Sequence, residues 1–99
     1  KDGGADAAKR LVPYLKDFDQ NVRVAAADAI ADADPALTAD ALLAAFLRPE
    51  EESGRFRKRI AEILAKHKHP LGDHAATVAS LLIGPVAGFA IVGGVLQER

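Results

Sequence analysis

The sequence predicts an all-α fold, a short α-solenoid of about five helices that ends in a C-terminal β-hairpin or extended cap. Three observations support this prediction. Apolar residues recur at helical spacing along most of the chain, one helix pair is repeated, and 21 of the 49 apolar residues are alanine. Alanine has the highest helix propensity and lets helix backbones approach closely. A length of 99 residues suits one domain.

Composition and charge exclude several classes of protein. The chain has no cysteine, which excludes a disulfide scaffold and a cysteine-ligated metal site. It has no methionine and begins at Lys1, so we interpret residues 1–99 as one domain from a longer protein, and we expect it to be cytoplasmic. The net charge is −1, but residues 1–54 carry −5 and residues 55–99 carry +4. Such an asymmetry can steer a partner or match a neighbouring segment.

The first predicted helix pair lies in residues 5–31. Its first helix covers about residues 5–16, and Pro13 either kinks this helix or starts a shorter one. Asp19 is the predicted N-cap of a second helix over about residues 20–31. The apolar stripe predicted for the second helix consists of Val22, Ala26, Ala29 and Ile30.

The second predicted pair has helices over about residues 35–47 and 53–68, joined by a charged loop. Their predicted buried residues are Ala39, Leu42, Leu43 and Phe46 in the first helix, and Phe56, Ile60, Ile63 and Leu64 in the second. We interpret Glu50, Glu51 and Glu52 in the loop as solvated. A fifth helix is predicted from Asp73, as its cap, to about Leu82.

The stretch from residue 75 to residue 97 contains no charged side chain, and three alternatives are open for its second half. Two β-prone tetrads flank Gly93-Gly94, which favours a short hairpin or an extended tail. A sixth helix and a membrane span are the other two alternatives. Gly84-Pro85 interrupts the apolar run, so a membrane span is the least favoured.

An internal repeat relates the two helix pairs. Residues 22–30 superpose on residues 56–64 at a constant offset of 34, and residues 11–15 superpose on residues 42–46 at an offset of 31. A period in this range with two helices per unit is typical of α-solenoids, in which stacked units form one continuous core.

The segment LVPYLKDFDQNVRVAAADAI, residues 11–30, resembles a HEAT repeat of the bacterial, phycobilisome-lyase-like kind. Leucines on the first helix, an aspartate in the turn, a Val-Arg pair and an alanine-rich second helix carry the resemblance. It implies repeat one at about 5–32, repeat two at about 35–68, and a truncated repeat or cap at about 73–99. Phe56-Arg57 replaces the Val-Arg pair in repeat two.

The resemblance also implies roles for particular residues. Asp19 and Arg23 would belong to the polar ladder that joins HEAT units, and Arg57 occupies the same position in repeat two. These residues are structural in that family. Some members of the phycobilisome-lyase-like subgroup are chromophore lyases, so an accessory domain of such an enzyme is one implied function.

A basic stripe on the fourth predicted helix is the main candidate for a binding site. Arg55, Lys58, Arg59 and Lys66 could hold an acidic protein, a phosphate or a nucleic acid. The alternative is a solvated helix face, which is favoured because the overall charge is not basic and no aromatic residues interleave for base stacking.

The other polar residues indicate no catalytic or metal site. The three histidines lack the spacing and additional ligands of a metal site, and those at helix ends are explained by the helix dipole. The aspartate pairs Asp17/Asp19 and Asp32/Asp34 are explained as turn and capping residues. No phosphate-binding loop or catalytic serine motif occurs.

The sequence therefore predicts a protein-protein interaction scaffold without enzymatic activity and without a cofactor, and it leaves the partner protein unidentified. Nucleic-acid or phosphate binding through helix 55–68 is the second hypothesis, and the lyase accessory domain is the third.

Overall fold

The computed structural model describes residues 2–99, with side chains described from Asp6 onwards, so Lys1 of the predicted domain lies outside it. The described part of the chain has five α-helices and two β-strands: α1 (Asp2–Leu11), α2 (Gln20–Ile30), α3 (Pro35–Leu47), α4 (Gly54–His67), α5 (Ala75–Ser80), β1 (Phe89–Val92) and β2 (Val95–Glu98). Three 3₁₀ turns cover Val12–Lys16, Gly72–His74 and Gly84–Val86. The predicted helical fold with a C-terminal hairpin is thus confirmed.

The helices pack in two neighbouring rows. In one row, α1 and the 3₁₀ turn at Val12–Lys16 contact α3, and α3 contacts α5. In the other row, α2 contacts α4, and α4 contacts the 3₁₀ turn at Gly84–Val86 together with β2. The α1–α2 pair therefore lies on one side of the α3–α4 pair, and the hairpin covers the opposite side of α4.

Three of the helices begin at side chains that accept a hydrogen bond from the first turn. Asp19 accepts from the backbone N–H of Asn21 at 2.8 Å, which confirms the predicted cap of α2. Asp34 caps α3 in the same way, and Ser53 caps α4. The predicted cap at Asp73 is wrong, because Asp73 lies inside a 3₁₀ turn and α5 begins at Ala75.

Pro13 does not kink α1, which ends two residues before the proline. The α-helix stops at Leu11, and the chain continues as a 3₁₀ turn that has Pro13 at its beginning. Proline has no backbone N–H and its ring clashes with the preceding turn of an α-helix. This change of geometry directs the chain toward the start of α2.

The core consists of the apolar faces predicted for α3 and α4, with one correction in α2. The predicted core residues of both helices are buried. In α2, however, Ala29 is exposed and Val22 is only half-buried, whereas Ala27 is completely buried. The reason is that α2 packs against the 3₁₀ turn at Val12–Lys16 as well as against α4, so its buried face is wider than one stripe.

Three alternatives were open for the second half of the uncharged stretch, residues 75–97, and the structure forms the hairpin. β1 and β2 pair antiparallel, with Val92 opposite Val95 at the turn. Gly93 and Gly94 have φ angles of 61° and 81°. Residues with a Cβ atom rarely adopt positive φ angles at two successive positions. The predicted sixth helix is not formed. No helix in residues 2–99 is both long enough and apolar enough to cross a membrane.

The hairpin region is fitted closely against the start of α4. Phe89 and Leu96 are buried, and the ring of Pro85 lies over Gly54. A Cβ atom at Gly54 would come within 2.5 Å of Pro85 Cγ, whereas a Cβ at Gly88 would meet no atom within 4 Å.

We expect Gly54→Ala to lower the free energy of unfolding by about 1–3 kcal/mol, because the added methyl group must displace a rigid proline ring. The matched control, Gly88→Ala, should change it by less than about 0.5 kcal/mol. Urea unfolding followed by circular dichroism measures both variants. Equal effects of the two substitutions would contradict the packing described for Pro85.

Candidate functional site

The four cationic side chains predicted to bind a partner all lie on α4. Lys58 and Lys66 are exposed, and Arg59 is half-buried. They do not form one continuous cationic surface, because three of the four are hydrogen-bonded to side chains of α2 or of the turn that follows it.

These contacts form a row that we call the α2–α4 seam. Arg55 Nη2 donates to Asn21 Oδ1 at 2.6 Å, Arg59 Nε donates to Asp28 Oδ1, and Lys66 Nζ donates to Asp32 Oδ1. The paired residues are 34, 31 and 34 positions apart in sequence. Exposed contacts of this kind stabilise a fold only weakly, because water and salt screen the charges.

The α2–α4 seam explains part of the charge asymmetry of the chain. Acidic side chains of the first helix pair face basic side chains of the second pair, so the opposite charges partly neutralise each other within the molecule. The hydrogen bond and the positive charge of Lys66 lower the pKa of Asp32. The hydrogen bond to Asp28 raises the pKa of Arg59.

A surface groove of about 850 Å³ lies between α4 and β2, and we call it the α4–β2 groove. Its lining residues are Arg59, Glu62, Ala65, Lys66 and Lys68 from α4, and Val95, Leu96, Gln97 and Glu98 from β2. The lining thus carries charges of both signs beside apolar surface. Lys58 lies outside this groove and forms no ion pair with any side chain described from Asp6 onwards.

The most buried polar contact of the described residues joins Arg23 to Glu51. Arg23 Nη2 donates to Glu51 Oε2 at 2.8 Å, and the side chains are 12% and 0% exposed. The interpretation of Glu51 as a solvated loop residue is therefore wrong. The reason is that the loop folds back toward Arg23, while Glu50 and Glu52 remain exposed.

Arg23 also organises the turn before α2. Its Nη1 donates to the carbonyl oxygens of Asp17 at 2.7 Å and Phe18 at 2.9 Å, and its guanidinium lies 5.5 Å from the centre of the Phe56 ring. A cation above an aromatic face is an attractive arrangement. One side chain thus connects the turn before α2, the loop before α4 and α4 itself.

Arg57 occupies the corresponding position of the second helix pair. Its Nε donates to the carbonyl oxygen of Phe46 at 2.9 Å and its Nη2 donates to that of Arg48 at 2.7 Å. Its guanidinium lies 5.8 Å from the centre of the Phe46 ring. Arg23 and Arg57 therefore both bind carbonyl oxygens at the end of the preceding helical segment.

The side chains assigned to a polar ladder, Asp19, Arg23 and Arg57, do not form a ladder of mutual contacts. Arg23 and Arg57 share one role, which is to bind carbonyl oxygens, whereas Asp19 has another. The side chain of Asp19 caps α2 and forms no hydrogen bond with the side chain of Arg23 in the described structure. Sequence reasoning missed Glu51, Asn21, Asp28 and Asp32. Asn21, Asp28 and Asp32 each have a side chain of opposite charge or matching hydrogen-bonding capacity 31 or 34 residues later in the sequence. That spacing is the signal that could have identified them.

Two of the three histidines, His67 and His69, contact different neighbouring residues and do not share a site. His67 Nε2 lies 2.9 Å from the carbonyl oxygen of Ala31, at the end of α2. His69 Nε2 lies 3.5 Å from Asp40 Oδ1. Across residues 2–99, no group of three or more histidine or carboxylate side chains has a geometry that could hold a metal ion.

We expect Glu51→Gln to lower the free energy of unfolding by about 3 kcal/mol, because it leaves the charge of Arg23 buried without a counter-charge. Replacing both partners with apolar residues, as in Arg23→Met with Glu51→Leu, should cost less than Glu51→Gln alone.

Glu52→Gln is the control for this experiment, since it removes the neighbouring exposed carboxylate. Urea unfolding of all four proteins gives the comparison. If Glu51→Gln behaves like Glu52→Gln, the buried ion pair does not hold the loop.

We expect Lys66→Met to raise the pKa of Asp32 toward the usual value near 4, since both the hydrogen bond and the positive charge are lost. In the wild type, the folded pKa lies below the unfolded one. The contribution of Asp32 to stability is therefore present above about pH 4 and is lost as the pH falls through the folded pKa.

A carboxyl ¹³C NMR titration measures this shift directly. Lys68→Met is the control, because Lys68 forms no ion pair with Asp32 in the described structure. An unchanged titration of Asp32 in Lys66→Met would show that the α2–α4 seam is open at this end in solution.

Comparison with known proteins adds no further constraint on this site: no protein-family model matches the chain, and neither a curated protein nor a solved structure matches it significantly.

Proposed function

We propose that this chain is a protein-binding domain without catalytic activity, built as a short HEAT-like α-solenoid whose last unit is replaced by a hairpin. The two rows of helices support the architecture, because equivalent helices of the two pairs lie side by side. The contacts at separations of 34 residues across the α2–α4 seam agree with the repeat found in the sequence.

The observation that carries the proposal is that cationic side chains of the basic stripe are paired with carboxylates of the same molecule. Arg59 pairs with Asp28 of α2 and Lys66 pairs with Asp32 in the turn after α2. Glu62 adds a further carboxylate to Arg59 at 3.4 Å. A polyphosphate ligand needs cations that are available to replace its counterions. Paired cations beside apolar surface suit a protein, whose own charges can be of either sign.

The α4–β2 groove is the surface we assign to the partner. It has a volume of about 850 Å³ and is lined by residues of α4 and β2. A partner segment in this groove would contact Lys66 and Lys68 on one wall and Val95 and Gln97 on the other.

Nucleic-acid binding is the competing function, and Lys58 is the observation in its favour because it forms no ion pair with a described side chain. The overall charge of −1 disfavours it. For the chromophore-lyase accessory function, no specific feature of the described residues adds support to the sequence resemblance.

The test is affinity capture with the full chain from a lysate of its source organism, with and without nuclease and at about 50 and 300 mM salt. We expect a captured protein that persists after nuclease treatment. Replacing Lys66 and Lys68 by glutamine, which both line the α4–β2 groove, should reduce its recovery about threefold or more.

Replacing Lys9 and Arg10 by glutamine is the matched control, because it removes two positive charges from exposed positions on α1. Equal loss in the control would mean that net charge alone governs capture. Recovery of nucleic acid only, with steep loss at the higher salt, would favour the competing function.

A further inference from the structure

We draw no further inference here: the strongest candidate, the apolar face that Ala90, Val92 and Val95 form on the side of the hairpin opposite the buried Phe89 and Leu96, carries none because nothing in the described structure shows what covers it.

Discussion

The guanidinium of Arg23 is the interaction on which the arrangement of the two helix pairs depends. It binds two carbonyl oxygens of the turn before α2, the carboxylate of Glu51 and the face of Phe56. The hydrogen bonding is incomplete, because Arg23 Nε and Glu51 Oε1 are buried without a hydrogen-bond partner among the described residues. Burying a cation is costly unless its charge is paired, and Glu51 supplies that pairing. The turn of the first pair and the loop of the second must therefore both be in place, which sets how one pair lies against the other.

The second helix pair repeats this arrangement and then departs from it. Arg57 binds two carbonyl oxygens and lies over Phe46, as Arg23 does over Phe56. Beyond α4, however, the chain supplies a 3₁₀ turn and two short strands in place of another long helix. The glycines at residues 93 and 94 allow the reversal, and the close fit of Pro85 over Gly54 requires a residue without a side chain at the start of α4.

The functional proposals follow from which charges are paired within the molecule. The cations of α4 are largely matched by α2, so this face combines both signs of charge with the groove beside β2. The α4–β2 groove is therefore the surface that we propose for a protein partner.

The sequence by itself determined the helices, most of their buried faces, the cap at Asp19 and the hairpin, because helical periodicity, capping side chains and paired glycines act over a few residues. Only the tertiary structure decided that Glu51 is buried, that Ala27 and not Ala29 lies in the core, and that Arg55, Arg59 and Lys66 have partners on α2 or just after it. The physical reason is that burial and charge pairing depend on which helix lies beside which, and residues 28 to 36 positions apart are brought together only by packing.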